Sequence, residues 1–370
     1  MTTVPFLDIK LTDSSEAERI EAAIRRVLQS GRYLLGPELE AFEIEFATSQ
    51  YSQFCVGVAS GLDAISIMLA AVGVKPGDEV LVPSHTFIAT WLGVTRAGGV
   101  PVPVECDPGS FTMDPDAVLS AITERTTAIL PVHLYGRPAN MHSLRKIALR
   151  HGLTLLADGA QSVGASHLDQ PVSRWAEATA VSFYPGKNLG SYGDGGAVLT
   201  DSPVVAERVR ELRNYGGTRK YQHDVIGGNS RLSEIQAAIL RVKLTQLETN
   251  NRRRRSIASR YLSTLSGTAL SLPLSDDDSY SSSWHLFVVR TDLRDELLTS
   301  LGRRGVECLV HYPSPPHLTG AYASSHWPPL PVAERLAREV LSLPMGPHLT
   351  EAQVDYVAEA VSESLEALSR

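Results

Sequence analysis

The sequence predicts an α/β protein with a mostly parallel sheet and a smaller α+β domain at the C-terminal end. Three observations carry that prediction. Between residues 54 and 200, short apolar runs without alternation recur, separated by stretches of helical spacing. Such runs suit strands covered on both faces, and their exchange with helices is the pattern of repeated βα units. A chain of 370 residues also exceeds the usual size of one domain. With 43% hydrophobic and 20% charged residues it can fill a large core, which excludes wholesale disorder.

The expected strands lie at 79–83, 100–104, 128–132, 153–157, 180–183 and 197–200. Helices are expected at 62–72 and at 114–122, where Asp114-Pro115 reads as an N-cap followed by proline in the first turn. Leu232, Ile235, Ile239, Val242 and Leu247 recur at helical spacing and predict one long amphipathic helix. It runs into Arg252, Arg253, Arg254 and Arg255, which read either as a solvated face or, in part, as a face toward an anionic substrate. A polar serine-rich loop at 275–283 is followed by a strand at 286–290, a helix at 294–302 and a Pro/His-rich stretch at 311–331. Val354, Val357, Val361, Leu365 and Leu368 then mark a terminal helix. The expected division is a large α/β domain at 1–250 and a small α+β domain at 251–370.

Charge and motif content exclude several functions. Lys+Arg is 34 against Asp+Glu 41, a formal charge of -7, which argues against a nucleic-acid binder. Cys55, Cys106 and Cys308 are too scattered for a disulfide framework or a zinc site. The 11 histidines show no metal-ligand spacing, so no metal is expected. No apolar stretch approaches the ~20 residues that span a bilayer, and the N-terminal MTTVPFLDIK carries no secretory pattern. The expectation is a cytoplasmic protein with no membrane or nucleic-acid partner. Gly186-Lys187 lacks the glycine and Ser/Thr of a phosphate-binding P-loop, and no acyl-transfer serine elbow occurs.

Three turns remain. Gly57-Val58-Ala59-Ser60-Gly61-Leu62-Asp63-Ala64 runs into a helix, whose free N–H groups suit a phosphate monoester; a plain helix cap has the same pattern. Asp158, in Ala157-Asp158-Gly159-Ala160-Gln161, ends an apolar strand and reads as a helix cap or as a fixed anion beneath a protonated ring nitrogen. Lys187 sits in a Pro/Gly turn after the next strand, either exposed or desolvated and therefore nucleophilic. A phosphate cradle, a strand-end carboxylate and a turn lysine are together what pyridoxal 5'-phosphate requires.

The chain resembles the DegT/DnrJ/EryC1/StrS family of pyridoxal-phosphate-dependent sugar aminotransferases. The blocks that carry the resemblance span nearly all of it: SGRYLLGPELEAFE, GVASGLDAI, VPSHTFIAT, ILPVHLYG, ADGAQSVGA, SFYPGKNLG, GDGGAV, GGNSRLSEIQAAIL, HYPSPPHL and LSLPMGPHLT. The resemblance implies fold type I, the aspartate aminotransferase-like architecture. It implies that Lys187 is the Schiff-base lysine and proton carrier, that Asp158 pairs with the pyridinium nitrogen, and that Gln161 bonds the cofactor's phenolic oxygen. Ser60, Gly61 and Ser182 would hold the phosphate. Phe87 would stack on the ring, with His85 as a second residue for that face. Asn229 would reach the phosphate from the other subunit, so a homodimer with shared active sites is implied.

Two departures stand out. Leu62 replaces a frequent threonine, and Ala157-Asp158-Gly159-Ala160-Gln161 stands where Glu-Asp-Ala-Ala-Gln is usual; neither touches the indispensable charges of Lys187 and Asp158. The implied reaction moves an amino group from L-glutamate to a nucleotide-linked ketosugar. The stretch His311-Tyr312-Pro313-Ser314-Pro315-Pro316-His317 together with Tyr184 looks most like that of enzymes acting at C-3 of a dTDP-3-oxo-6-deoxyhexose, in deoxyaminosugar pathways for antibiotics or surface glycans, with His311 and Tyr312 expected to line the sugar pocket. Amination at C-4 or of a cyclitol, and a non-catalytic cofactor-binding regulator, are the alternatives. Lys220 and Tyr221, in a Gly-rich loop, are placed at the diphosphate by position and charge.

Overall fold

A computed structural model describes residues 3–10, 14–219, 221–323 and 325–368. Two helices open the chain, α1 (Ser14–Ser30) and α2 (Pro37–Ser49). Then β1 (Phe54–Val58), α3 (Gly61–Ala71), β2 (Glu79–Pro83), α4 (Ala89–Arg96), β3 (Val100–Val104), α5 (Pro115–Ala121), β4 (Thr126–Ile129), α6 (Met141–His151) and β5 (Thr154–Asp158) alternate as the apolar runs predict. Two short strands, β6 (Ser166–His167) and β7 (Gln170–Pro171), precede β8 (Ala178–Ser182), β9 (Gly196–Thr200) and α7 (Pro203–Leu212).

The main sheet has seven strands in the order β1-β9-β8-β5-β4-β2-β3. Strands β3, β2, β4, β5 and β8 are parallel neighbours, while β9 is antiparallel to both β8 and β1. Two reversals bring β1 back into the direction of β8. The carboxyl ends of β1, β5 and β8 therefore lie along one edge, where open α/β sheets place ligands. Strands β2, β8 and β9 are buried at every position, which is why they read as unbroken apolar runs.

Local signals set the helix starts. Asp114 caps α5 by accepting from Asp116 N at 3.0 Å, as Asp-Pro predicts. Gly36 has no side chain to cap α2. Instead the buried Glu234 carboxylate accepts from Gly36 N at 2.9 Å, Glu38 N at 2.9 Å and Leu39 N at 3.1 Å. Neither α1 nor α2 is anticipated by the strand-and-turn pattern.

The single long helix expected from residue 232 is two helices, α8 (Glu234–Leu244) and α9 (Leu247–Thr264). Thr245 Oγ1 donates to the Val242 carbonyl at 2.8 Å, and Arg19 reaches both that carbonyl and the same hydroxyl. A threonine bonding back to its own helix bends it, and here the ladder breaks.

The remaining elements are β10 (Tyr280–Ser281), β11 (Phe287–Arg290), α10 (Arg294–Arg303), α11 (Pro331–Glu339), β12 (Val340–Leu343) and α12 (Glu351–Leu368). Strands β11 and β12 pair antiparallel. Ile257, Tyr261, Phe287, Val289, Leu297, Leu341, Val357 and Val361 form one apolar cluster, and Val4 from the N-terminal segment packs within it. No helix among the described residues is long and apolar enough to cross a membrane.

Candidate active site

The floor of the site is built from the aligned strand ends. Ser60 follows β1 and caps α3, its hydroxyl accepting from Asp63 N at 3.1 Å. Gly61 packs directly on Ser182 at the end of β8. A Cβ added at 61 would lie 2.6 Å from Ser182 Cβ, so only glycine lets the helix start meet the strand end. The positive end of α3 and the Ser182 hydroxyl thus face one point, a ready anion site.

Asp158 ends β5 and is 4% exposed. Its Oδ2 accepts from Thr90 Oγ1 at 2.8 Å and its Oδ1 from Ala160 N at 3.1 Å. Because Thr90 gives its one proton to Asp158, Thr86 Oγ1 must be the donor in its 3.0 Å bond to Thr90. Burial pushes the Asp158 carboxyl up from its ordinary value, opposed by the Thr90 and Ala160 bonds and by Lys187. No cation among the described residues lies within ion-pairing distance of Asp158. A carboxylate held this way, on the wall of a cavity, is an anion awaiting a cationic partner. A Cβ at Gly159 would lie 2.7 Å from Thr179 Cγ2, so the glycine at that position goes with the threonine beneath it.

Lys187 is half-buried in the turn after β8, where its N–H donates to the Tyr184 carbonyl at 2.8 Å. Burial pulls its amine down to about 8, with Asp158 opposing. Both line one cavity of about 1330 Å³ with Ser60, Gly61, Phe87, Gln161, Ser182, Tyr184, His311 and Tyr312. Ten of the fourteen residues singled out in the sequence therefore converge.

The facing wall is organised by hydrogen bonds. Gln161 Oε1 accepts from Tyr135 N at 2.5 Å, and its Nε2 donates to Tyr312 Oη at 3.1 Å. Phe87, half exposed, meets the Tyr312 ring at 5.3 Å between centroids. His311 Nδ1 bonds Ser342 Oγ at 2.9 Å, and burial pulls the ring down to about 4. Burial pushes the Tyr312 phenol up.

Four residues stand elsewhere. His85 is buried and is not on the cavity wall. Tyr135 gives its proton to the His311 carbonyl, so His85 Nε2–H donates to Tyr135 Oη at 2.8 Å. His85 thus supports the wall from behind. Asn229 is exposed and bridges Asn214. Tyr221 is 83% exposed and lines a separate hollow of about 640 Å³ with Tyr215 and Arg219. Lys220 lies outside the described residues. Thr90, Tyr135, His285 and Arg254 belong to the site or its support without having been singled out for it. Thr90 and Tyr135 lie in the blocks VPSHTFIAT and ILPVHLYG, and Arg254 in the basic run read in part as a face toward an anionic substrate; His285 carried no signal.

These residues fit pyridoxal phosphate: an amine of lowered pKa for the aldehyde, an unpaired buried carboxylate for the ring nitrogen, and a helix start with a serine for the phosphate. The comparisons agree. The sequence profile of the DegT/DnrJ/EryC1/StrS aminotransferase family matches residues 14–362. The dTDP-3-amino-3,4,6-trideoxy-alpha-D-glucose transaminase of Streptomyces venezuelae is 52% identical over 370 residues, covering 99% of this chain and 97% of the relative. The erythromycin biosynthesis sensory transduction protein EryC1 of Saccharopolyspora erythraea is 55% identical over 357 residues, covering 96% and 97%. The crystal structure of DesV from S. venezuelae, solved with a ketimine intermediate, superposes with a TM-score of 0.96 at 52% identity and covers 99% of both chains. Solved structures at 34% and 25% identity hold pyridoxamine phosphate. The chain belongs to the DegT/DnrJ/EryC1/StrS family of pyridoxal-phosphate-dependent aminotransferases.

Proposed function

We propose that this aminotransferase moves the amino group of L-glutamate to C-3 of a dTDP-linked 3-oxo-6-deoxyhexose, releasing 2-oxoglutarate. The observation that carries the reading is the buried, unpaired Asp158 carboxylate sharing one cavity with the low-pKa Lys187 amine. The 3-amino sugar in the name of the 52%-identical relative supports the position of amination.

When bound, pyridoxal phosphate supplies an aldehyde that takes up amines and a protonated ring that draws electrons from the attached carbon. In this reading Asp158 keeps the ring nitrogen protonated, and Thr90 holds the carboxylate in place. Lys187 gives up its proton easily because burial disfavours its charge, so its neutral Nζ would accept a proton from the substrate carbon and hold it as the ammonium. Gln161 presents its amide to the phenolic oxygen. Ser60, Gly61 and Ser182 would hold the phosphate, and Phe87 would stack on the ring. Tyr184, His311 and Tyr312 line the space for the sugar. Asn229 and Tyr221, which are exposed and do not line this chain's cavity, serve the second subunit of a homodimer. The reading takes 1–250 as the large cofactor-binding unit and 251–370 as the small one, with Val4 packed against the latter.

The test is direct. L-Glutamate added to holoprotein should remove the cofactor's near-visible absorption, and 2-oxoglutarate should restore it. Turnover of synthetic 3-keto and 4-keto dTDP-sugars, with the new amine located by NMR, should favour the 3-keto substrate. A preference for the 4-keto sugar overturns the position, and absence of the cycle overturns the reaction.

A further inference from the structure

The basic run on α9 divides into two kinds of arginine. Arg252 and Arg255 pair with Glu248 at 3.8 and 2.8 Å, and Arg253 pairs with Glu351 at 3.6 Å. These are surface contacts of small value. Arg254 is 4% exposed and has no carboxylate partner among the described residues. Its Nη1 donates to the carbonyls of His285 at 3.1 Å, Trp284 at 3.2 Å and Met345 at 3.3 Å. Its Nε and Nη2 have no acceptor among the described residues, yet neither is sealed from solvent. The side chain lines the same cavity as Lys187 and Asp158. Burial pulls its pKa down only to about 10, so it stays cationic near neutrality.

A desolvated guanidinium is costly unless an anion meets it. Carbonyl dipoles steady one edge of the fork and leave the other edge open. The neighbouring His285 does not compete for an anion. Asn188 Nδ2 donates to Ser283 O at 2.8 Å and Asn251 Oδ1 at 2.9 Å, which orients the amide and puts its Oδ1 3.1 Å from His285 Nδ1. His285 therefore carries its proton on Nδ1, and burial, Lys187 and Arg254 together keep the ring neutral. Arg254 and Lys187 are then the two cations on the cavity wall among the described residues. In an amino acid, a carboxylate is bonded directly to the carbon that carries the amine. In a nucleotide sugar, the sugar ring separates the reacting carbon from the diphosphate. A nearly buried fork suits the former.

We propose that Arg254 binds a carboxylate of the amino-donor acid through its Nε–Nη2 edge, making a donor subsite distinct from the sugar wall. This rests on the aminotransferase reading and names where its first substrate is recognised. The probe is glutarate, an unreactive dicarboxylate, titrated into holoenzyme by calorimetry, with dTDP as the second arm. Arg254→Gln should raise the glutarate Kd at least about tenfold, as loss of a charge-assisted pair does, and leave the dTDP Kd within about twofold. In turnover, the KM for glutamate should rise while that for the ketosugar holds. Arg254→Lys, which keeps the charge but not the fork, should weaken glutarate severalfold, and it decides the matter if Arg254→Gln does not fold. Wild-type protein without millimolar glutarate affinity, unchanged glutarate binding in the folded variants, or selective loss of dTDP each overturns the proposal. Failure of the wild-type glutamate cycle would instead count against the aminotransferase reading, because glutarate binding needs no turnover.

Discussion

The two walls of the cavity are held in different ways. Beneath Lys187, the wall consists of ends of neighbouring strands: Asp158 closes β5, Ser182 closes β8 and Ser60 follows β1. Ladder hydrogen bonds fix each within a residue or two. The facing wall comes from far along the chain, and side chains hold it. Tyr135 holds the His311 carbonyl, Gln161 holds Tyr312, Asn188 holds His285, and Arg254 grips three carbonyls. In the proposed reading, the backbone wall carries the groups that any amino transfer on this cofactor needs, while the side-chain wall adds, beside Gln161 and Phe87, the residues assigned to the substrates, His311, Tyr312 and Arg254.

The sharpest way to break this division is at its centre. Lys187→Ala should lower the glutamate half-reaction by on the order of 10⁴-fold in single-turnover absorbance measurements. The fold should survive, because the substitution removes a charge that burial already disfavours. Asp158→Asn should come next, at on the order of 10²–10³-fold in both half-reactions. Thr90→Val should cost roughly tenfold by releasing the carboxylate without removing it. If either spared one half-reaction, the backbone wall would not be common to both.

The side-chain wall should behave otherwise. His311→Asn combined with Tyr312→Phe should slow amination of the ketosugar roughly tenfold while leaving the glutamate half-reaction near wild type. Equal losses in both halves would remove the distinction between the walls.

The same contrast explains what could be read in the sequence. Strand ends announce themselves, because an apolar run followed by Asp158, or by a Pro/Gly turn with Lys187, is local information. Gly61 and Ser182 could be paired only through the resemblance, and the structure supplies the physical reason in their direct packing. The break between α8 and α9 was hidden because it depends on a threonine bonding back to its helix and on Arg19, more than 200 residues away. Arg254 was hidden for a related reason. Four consecutive arginines look alike in sequence, and only the packing of α9 against Trp284, His285 and Met345 buries one of them. His85 shows the reverse case: a histidine two residues before Phe87 of the cavity wall, turned inward to Tyr135.

The smallest expected effect is a displacement along the pH axis. Lysine ordinarily titrates near 10.5, but burial brings Lys187 to about 8. Capture of the cofactor aldehyde by apoprotein requires the neutral amine, so its rate should climb with pH and level off above about 8. Asp158 favours the charged amine and holds the value up. Asp158→Asn should therefore move the inflection to lower pH, whereas an exposed lysine would be indifferent to it. Stability follows the same displacement. Between pH 8 and 10.5 the unfolded chain still binds a proton that folded Lys187 has released, so this group makes apoprotein stability rise with pH across that window. The Tm of Lys187→Met relative to apoprotein should fall as pH rises from 8 to 10.5 and be constant on either side of that window, because only below it does the wild type carry the full cost of the buried charge. An inflection in cofactor capture near 10.5 would show that the backbone wall does not desolvate the amine, and with it would go the reason for placing the nucleophile there.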